Sequence, residues 1–224
     1  MREIVLDTET TGLSPADGHR IIEIGCVELY NHVATGAVFQ TYINPERSVP
    51  EEARRVHGID DAMLADKPLF SDIVESFLGF LSDSPLVIHN AEFDLRFLNA
   101  ELARLERPPL ARDRAVDTVT MARQKFFGAG ASLDALCRRF GIDLSGRDLH
   151  GALKDAQLLA EVYLQLRGGR QPDLRLVRAA ATRRTAGVKV VRTPVVIPAN
   201  EDESRAHDAC IDKLTDPLWR QTLS

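Results

Sequence analysis

Carboxylate side chains occur in three separated stretches of this 224-residue chain, and a histidine accompanies the last of them. The acids are Asp7 and Glu9 in DTETTG, Asp94 in HNAEFD and Asp155 in HGALKD, and His150 opens the third stretch. Carboxylate oxygens are preferred ligands of Mg²⁺ and Mn²⁺, and a pair of such ions can activate water and stabilise a leaving oxygen. The set therefore predicts metal-dependent hydrolysis of a phosphodiester.

The first stretch follows an apolar, β-branched run that predicts a strand over residues 2–8. Residues two apart on a strand project from the same face, so Asp7 and Glu9 are expected to point together. An unpaired buried carboxylate is heavily penalised, so two acids at the end of a buried strand indicate a cationic partner. The following TTG predicts a turn in which Gly12 lets a ligand approach the backbone closely. A solvated strand end before an ordinary turn is the alternative.

The second stretch joins a predicted buried strand at 85–89 to a predicted helix at 92–105. Asp94 would lie in the first helical turn, where the helix dipole favours an acid, so helix stabilisation is the alternative to metal binding. His89 and Asn90 fall at the strand-to-helix junction, the usual position of a ligand site in an α/β sheet. A loop or capping role is the alternative for both.

The third stretch contains His150 and Asp155 five positions apart, which on one continuous helix would place them about 140° apart. The two side chains converge only if His150 precedes the helix, and Gly151 favours such a break. The helix predicted over 152–167 makes Asp155 a rigid ligand and leaves His150 on a loop. Histidine changes protonation near neutral pH, so it suits a general base that deprotonates the attacking water. An exposed loop histidine without a role is the alternative.

The three motifs, in this order over about the first 155 residues, resemble the exonuclease motifs of the DEDDh 3′–5′ exonucleases. They are most similar to those of the epsilon (proofreading) subunits of bacterial DNA polymerase III. The resemblance implies a 3′–5′ exodeoxyribonuclease that removes mispaired 3′-terminal nucleotides as monophosphates. It also implies that His150 is the general base and that two Mg²⁺ or Mn²⁺ ions are held by Asp7, Glu9, Asp94 and Asp155.

The segment VPEEARRVHGIDD also resembles the epsilon family, in which a Glu and the His of a VHGI element lie against the terminal nucleotide. The matching residues are Glu52 and His57. From the residues alone, Val56, Gly58 and Ile59 predict a short turn anchored by apolar side chains. The expected contacts of the terminal nucleotide are Asp7, Glu9, Thr10, Gly12, Glu52, His57, Asn90 and Asp155.

Composition indicates a soluble, cytoplasmic enzyme with 44% hydrophobic residues. No apolar run approaches the roughly 20 residues that span a bilayer, and the N-terminus does not resemble a signal peptide. The three cysteines, Cys26, Cys137 and Cys210, lack CxxC pairing, so core packing is expected for them rather than disulfides or zinc binding.

The net charge of −5 is unusual for an enzyme that acts on nucleic acid. Residues 1–168 carry 18 Lys and Arg against 26 Asp and Glu, a net charge of −8, whereas the remainder carries 10 against 7, a net charge of +3. The catalytic part is therefore expected to bind a free strand weakly and to gain from being tethered near its substrate.

The division in charge predicts an exonuclease domain at 1–168 and a basic linker with a C-terminal polymerase-binding segment at 169–224. Residues 170–192 carry seven basic side chains against one acid, KVVRTPVVI at 189–197 predicts an edge strand or extended segment, and 201–214 has helical signals. The lone Trp219 is typical of an interface anchor, and the resemblance implies that this segment binds the polymerase III alpha subunit.

The segment QPDLRL is similar to the short peptide by which such proteins dock on the sliding clamp. The matching residues are Gln171, Leu174 and Leu176. The motif is loose and also arises by chance.

The order of predicted elements indicates the fold class. Strands are predicted at 2–8, 20–29, 36–43, 85–89 and 114–117, and helices at 70–82, 92–105, 118–127, 132–140 and 152–167. Three strands followed by strands that alternate with helices predict an α/β fold with a mixed five-stranded sheet flanked by helices. The resemblance implies the same architecture, the ribonuclease H-like fold, followed here by an extended C-terminal tail.

Two other functions remain open. The same motifs serve exoribonucleases and DNA-trimming nucleases of RNA turnover or repair. No residue here obviously reads a 2′-hydroxyl, so the long tail with its terminal LWR carries the preference for DNA. Alternatively, the chain is mainly a structural subunit that stabilises a polymerase, although an intact set of acids argues against a purely structural role.

Overall fold

A mixed five-stranded sheet forms the centre of the protein, whose computed structural model describes residues 1–145, 149–169 and 198–215. The strands are β1 (Arg2–Thr10), β2 (Ile21–Tyr30), β3 (Val33–Tyr42), β4 (Leu86–Ile88) and β5 (Ala115–Asp117). Their order in the sheet is β3-β2-β1-β4-β5. Strand β2 pairs antiparallel with both β1 and β3, whereas β4 runs parallel to both β1 and β5. This confirms the predicted sheet.

Helices flank the sheet on both faces. They are α1 (Glu51–His57), α2 (Asp61–Leu64), α3 (Phe70–Leu81), α4 (Ala91–Arg104), α5 (Thr118–Lys125), α6 (Leu133–Phe140) and α7 (Ala152–Leu166). A further helix, α8 (Glu201–Ile211), belongs to the C-terminal part of the chain. Short 3₁₀ turns occur at Pro15–Asp17 and Arg112–Arg114. The five helices predicted between residues 70 and 167 are all present.

Side chains of β1 alternate between the two layers of helices. Ile4 and Leu6 join a core with α3 and α4, whereas Val5 joins a second core with α5, α6 and α7. This alternation is the expected consequence of a two-residue strand period. It places Asp7 and Glu9 on the side of the strand that faces α7.

Strand β1 is longer than predicted. It pairs with β2 as far as Thr10, with a register shift between Glu9 and Thr10. The prediction that Thr10 begins a turn is therefore wrong. Threonine is β-branched and favours extended backbone, so the strand continues with a bulge where a turn was expected.

The segment around VHGI forms a helix rather than the predicted short turn. Helix α1 includes Val56, whose exposed fraction is 49%, and ends at Gly58, which adopts a left-handed conformation with φ 75°. The sequence EEARRVH carries almost no apolar side chains, so it lacks the periodicity by which a helix is predicted. The turn chemistry was correct only for the glycine cap.

The chain divides into two compact units, Met1–Leu174 and Arg175–Ser224. In the second unit, the helical signals at 201–214 correspond to α8, which begins with a reciprocal cap. The Asn200 side chain accepts a hydrogen bond from the Glu203 N–H at 2.8 Å, and the Glu203 carboxylate accepts one from the Asn200 N–H at 2.9 Å. No helix in the described part of the chain is long and apolar enough to cross a membrane.

Several predicted features of the tail lie outside the described residues. They are the linker at 170–192, the extended segment at 189–197 and the partner-binding residues Gln171, Leu174, Leu176 and Trp219. The predicted boundary after residue 168 stays a prediction.

The cysteines do not all have the expected packing role. Cys26 and Cys137 are buried in the two cores, whereas Cys210 is exposed on α8. Core packing is therefore wrong for Cys210. The helix that carries it has only one buried residue, so it offers no apolar surface to cover the thiol.

Candidate active site

Three elements bring the predicted acids to one end of the sheet. Asp7 and Glu9 lie near the end of β1, Asp94 lies in the first turn of α4, and Asp155 lies in the first turn of α7. The carboxyl ends of β1 and β4 lie at this end of the sheet, which is where α/β folds place ligand sites.

Glu9, His150 and Asp155 form the closest group of possible metal ligands. Each of the three offers one ligand atom, and these atoms lie within 4.8 Å of one another. The carboxylates are buried, whereas the His150 side chain is half exposed at the rim. Two buried acids at this separation repel each other unless a cation or a proton is shared between them, so the group fits divalent metal ions.

His150 lies outside the helix that carries Asp155. Helix α7 begins at Ala152 after the extended residue Gly151, and His150 Nδ1 lies 3.0 Å from Asp155 Oδ2. The His150 N–H donates to the Val56 carbonyl at 3.1 Å, which fixes the loop against α1. The histidine thus reaches the acids from the solvent side, as the five-residue spacing and Gly151 predicted.

Asp94 approaches the site from the opposite layer of helices. It is 3% exposed, and the Thr8 hydroxyl donates to its Oδ1 at 2.7 Å. Burial raises the pKa of Asp94 to about 7, and the hydrogen bonds from Thr8 only partly offset this effect. A buried acid with such a shift does not serve merely to stabilise a helix end, because an exposed carboxylate would do that at lower cost.

The sequence did not predict the roles of two residues that hold this arrangement. Thr8 fixes the carboxylate of Asp94, and Glu23 on β2 accepts a hydrogen bond from the Ala152 N–H at 3.0 Å at the start of α7. Glu23 is an acid within the apolar run IIEIGCVEL, and it is 1% exposed. An acid that interrupts an apolar strand was the signal in the sequence that could have indicated a role for Glu23.

Beside the acids lies a groove of about 550 Å³, which we call the terminal groove. It brings together most of the residues predicted to contact a terminal nucleotide. Phe93 and Leu13 add apolar surface, and Leu13 is 81% exposed. The lining includes Thr8, Glu9, Thr10, Gly12, Leu13, Glu52, His57 and Phe93.

The ring of His57 is oriented by its own loop. Its Nδ1 accepts a hydrogen bond from the Ile59 N–H at 3.0 Å, so in the neutral ring Nε2 carries the proton. Burial lowers the pKa of His57, and the neighbouring backbone of Thr10 partly offsets this effect. The Nε2 donor of the neutral ring is buried beside the terminal groove and has no hydrogen-bond partner among the described residues.

Gly12 lines the terminal groove and also lies against the ring of His19. A Cβ atom at this position would lie 2.4 Å from Cε1 of His19, which is too close for any real contact. A side chain at position 12 would therefore require the His19 ring to move. His19 Nδ1 in turn lies 3.1 Å from the Thr11 hydroxyl.

Asn90 does not line the terminal groove. It is exposed at the N-cap of α4 in a left-handed conformation with φ 67°, and its N–H donates to Asp117 Oδ1 at 3.2 Å. Its side chain makes no cap hydrogen bond. Next to it, His89 Nδ1 lies 2.9 Å from the Thr118 hydroxyl. Both residues line another groove, on the far side of the first turn of α4.

Comparisons with known proteins agree with this geometry. The RNase_T exonuclease model matches residues 4–163. DNA polymerase III subunit epsilon of Rickettsia typhi is 50% identical over 222 residues, with 96% of this chain and 97% of that protein covered. The protein of the same name from Escherichia coli K12 is 42% identical, with 98% and 97% covered.

Solved structures show the same fold. Exonuclease X in complex with 5′-overhanging duplex DNA is 27% identical and aligns with a TM-score of 0.58 over 73% of this chain and 89% of that chain. The nuclease domain of 3′hExo, described as a DEDDh family member bound to rAMP, aligns with a TM-score of 0.62 at 20% identity, over 74% and 90%. The chain therefore belongs to the exonuclease family and, within it, to the DNA polymerase III epsilon subunits, and it is a 3′–5′ exonuclease.

Proposed function

We propose that the protein removes mispaired 3′-terminal nucleotides from DNA as a subunit of a replicative polymerase and releases deoxynucleoside monophosphates. The observation that carries this proposal is the position of Glu9: it lines the terminal groove and also belongs to the group of possible metal ligands with Asp155 and His150. A terminal nucleotide in that groove has its linking phosphate beside the acids. This arrangement favours cleavage at a chain end over cleavage within a chain.

Asp7, Glu9, Asp94 and Asp155 are proposed to hold two divalent ions, Mg²⁺ or Mn²⁺. When bound, such ions polarise the phosphate, lower the pKa of an attacking water and stabilise the leaving oxygen. The burial of Glu9, Asp94 and Asp155 supports this role, because buried acids bind a hard cation without first losing a full hydration shell.

His150 is proposed to accept the proton of the attacking water. Its half-exposed ring reaches the acids from solvent, so it can pass the proton outward after each turnover. Asp155 Oδ2, 3.0 Å from Nδ1, orients the ring. A base held in one orientation beside the reacting phosphate lowers the entropic cost of reaching the reactive geometry.

The terminal groove is proposed to hold the last nucleotide through Thr10, Gly12, Glu52 and His57. The Nε2 donor of His57 suits a sugar or phosphate oxygen, and Phe93 offers a face for the base. Stacking on an aromatic face does not depend on which base is stacked. Selection of a mispaired end then comes from its ease of unpairing.

The C-terminal segment, including Trp219, is proposed to bind the polymerase III alpha subunit. A cytoplasmic replication complex would hold this acidic exonuclease domain near the primer end, where tethering replaces intrinsic affinity. Gln171, Leu174 and Leu176 are proposed to bind the sliding clamp. Replacing Gln171 and Leu174 with alanine should weaken clamp binding without changing hydrolysis, and an unchanged affinity would refute this assignment.

The first experiment compares Mg²⁺-dependent release of the 3′ nucleotide from matched single-stranded DNA and RNA oligonucleotides. Faster loss from DNA is expected, and faster loss from RNA would favour RNA turnover. Asp7→Ala should abolish hydrolysis while leaving the fold intact, so retained turnover would contradict the metal assignment.

Removing residues 169–224 tests the role of the tail. We expect a free, active nuclease that no longer co-purifies with the polymerase. A truncated chain that still co-purifies would place the polymerase contact elsewhere. Full polymerase function with an inactive Asp7→Ala chain would instead favour a mainly structural subunit.

A further inference from the structure

A second groove, of about 620 Å³, lies on the other side of the first turn of α4. We propose that it holds the phosphates of the nucleotides that precede the scissile linkage in a single-stranded polynucleotide. The two arginines that line it, Arg112 and Arg123, would bind these phosphates. The inference rests on the proposed function and extends it to the strand beyond the last nucleotide.

The first turn of α4 is the wall shared by the two grooves. Phe93 lines the terminal groove, whereas Asn90 and Glu92 line the second groove. Asp94 lies in the same helical turn, which spans only about 5.4 Å along the axis. A strand whose terminal linkage lies at the acids therefore needs to cross one helical turn to enter the second groove.

Among the described residues, contacts between the loop that carries His150 and α1 block another path out of the terminal groove. The loop that carries His150 is joined to α1 by the hydrogen bond from His150 N–H to the Val56 carbonyl at 3.1 Å. Beside it, Leu149 covers Gly58 so closely that a Cβ there would lie 2.5 Å from Leu149 Cδ1. A strand that passed between α1 and the start of α7 would have to break these contacts.

Arg112 and Arg123 have charges that the folded structure does not use. Both side chains are exposed, and neither forms an ion pair with any residue that the structure describes. Several other arginines of the same unit form ion pairs: Arg2 with Glu28, Arg20 with Glu101, Arg107 with Glu75 and Arg138 with Asp134. In a region with a net charge of −8, unpaired guanidinium groups that line one groove suit phosphate.

Two acids, Asp117 and Glu92, also line the second groove. Both oxygens of Asp117 are engaged, because Oδ1 accepts from the Asn90 and Val119 N–H groups at 3.2 and 2.9 Å, and Oδ2 accepts from the Thr120 hydroxyl at 3.1 Å. Asp117 thus serves as the N-cap of α5. Glu92 is exposed at the rim of the groove, where solvent screens it.

The test uses the full chain and two substrates of different length. The p-nitrophenyl ester of thymidine 5′-monophosphate occupies only the terminal groove, whereas a ten-residue thymidine oligonucleotide extends beyond it. Arg112→Ala and Arg123→Ala should each raise KM for the oligonucleotide about tenfold, the effect of losing one charge-assisted contact, with kcat unchanged. Hydrolysis of the p-nitrophenyl ester should not change.

Salt dependence gives a second readout that a structural effect would not produce. The logarithm of the affinity for the oligonucleotide falls as the logarithm of the salt concentration rises. Each substitution should make this slope less steep by about 0.7, the value for one phosphate contact on a single strand. Arg138→Ala is the matched control, because it changes the net charge equally from an exposed helix position outside the groove. It should leave both KM and slope unchanged.

Three outcomes would overturn the assignment of the groove: an unchanged KM for the oligonucleotide, an equal loss on both substrates, or an equal effect of Arg138→Ala. The unaltered chain tests the proposed function separately, since it must hydrolyse both substrates. If it hydrolyses both while the arginine variants behave like it, the exonuclease function stands and the groove has no part in binding.

Discussion

Glu23 on β2 accepts a hydrogen bond from Ala152, the first residue of the helix that carries Asp155. Its Oε2 accepts a hydrogen bond from the Ala152 N–H at 3.0 Å, and its Oε1 accepts one from Gln40 Nε2 at 2.7 Å. Both oxygens of a carboxylate that is 1% exposed are thus satisfied. The acid cancels the positive end of the α7 dipole and fixes the first turn, on which Asp155 follows Ala152 by three residues.

Replacement of Glu23 should therefore affect metal binding through position. We expect Glu23→Ala to raise the Mg²⁺ concentration that gives half-maximal activity and to weaken Mn²⁺ binding measured by calorimetry. It should also lower the free energy of unfolding by about 1–3 kcal/mol, because the Ala152 N–H loses its partner. Glu28→Ala is the control on the same strand, where Glu28 pairs with Arg2 instead. If Mn²⁺ affinity is unchanged in Glu23→Ala, the residue has no positioning role.

Gly25 should not tolerate any side chain. A Cβ there would lie 2.2 Å from the Leu153 nitrogen and 2.3 Å from the Ala152 carbonyl carbon, so α7 would have to move away from β2. Gly25→Ala should lower Tm and abolish hydrolysis, both measurable on the purified chain. Gly79→Ala is the control, because nothing lies within 4 Å of a Cβ at that position in α3. It should raise stability by about 1 kcal/mol. Normal activity in Gly25→Ala would contradict the close packing.

Asp94 should destabilise the metal-free protein above neutral pH. Its pKa is about 7 in the folded state against an ordinary value of 3.8, so between these values the folded protein holds a proton that the unfolded chain has lost. Stability therefore falls as pH rises from about 4 to 7. Asp94→Asn removes this loss while keeping an acceptor for Thr8, so with a chelator it should raise Tm at pH 8 by roughly 3–8 °C and much less at pH 5.

The same variant should lose the response to metal. Mg²⁺ should raise the Tm of the unaltered chain at pH 8 but not that of Asp94→Asn, which should also lack activity. Asp83→Asn, in an exposed loop, is the control and should behave like the unaltered chain. An Asp94→Asn chain that is less stable at pH 8 than the unaltered chain would show that the acid is not strained by burial.

The three cysteines should differ in reactivity. Burial raises the pKa of Cys26, with a further contribution from Asp7, and Cys137 is also buried, whereas Cys210 is exposed. A thiol reagent at pH 8 should modify one cysteine quickly in the folded chain and all three after unfolding. Cys210→Ser should remove the fast reaction. Rapid modification of a second cysteine would indicate local opening of a core.

The sequence was sufficient for the elements that carry the acids. The apolar run before Asp7 gave β1, and the helical spacing after Asp94 and after Asp155 gave α4 and α7, because these patterns repeat within a few residues. The five-residue spacing and Gly151 also located His150 outside the helix. Periodicity did not reveal α1, because charged residues occupy most of that short helix.

Only the tertiary structure decided how these elements meet. Glu23 lies 129 positions before Ala152 in the chain, and Thr8 lies 86 positions before Asp94, so no local pattern links either pair. Asn90, a predicted contact of the terminal nucleotide, lines the second groove and not the terminal groove. Sequence alone was sufficient to propose which residues carry the chemistry, since side-chain type and strand or helix period are local properties. Burial, pKa and the separation of the two grooves depend on long-range packing, which the local pattern does not encode.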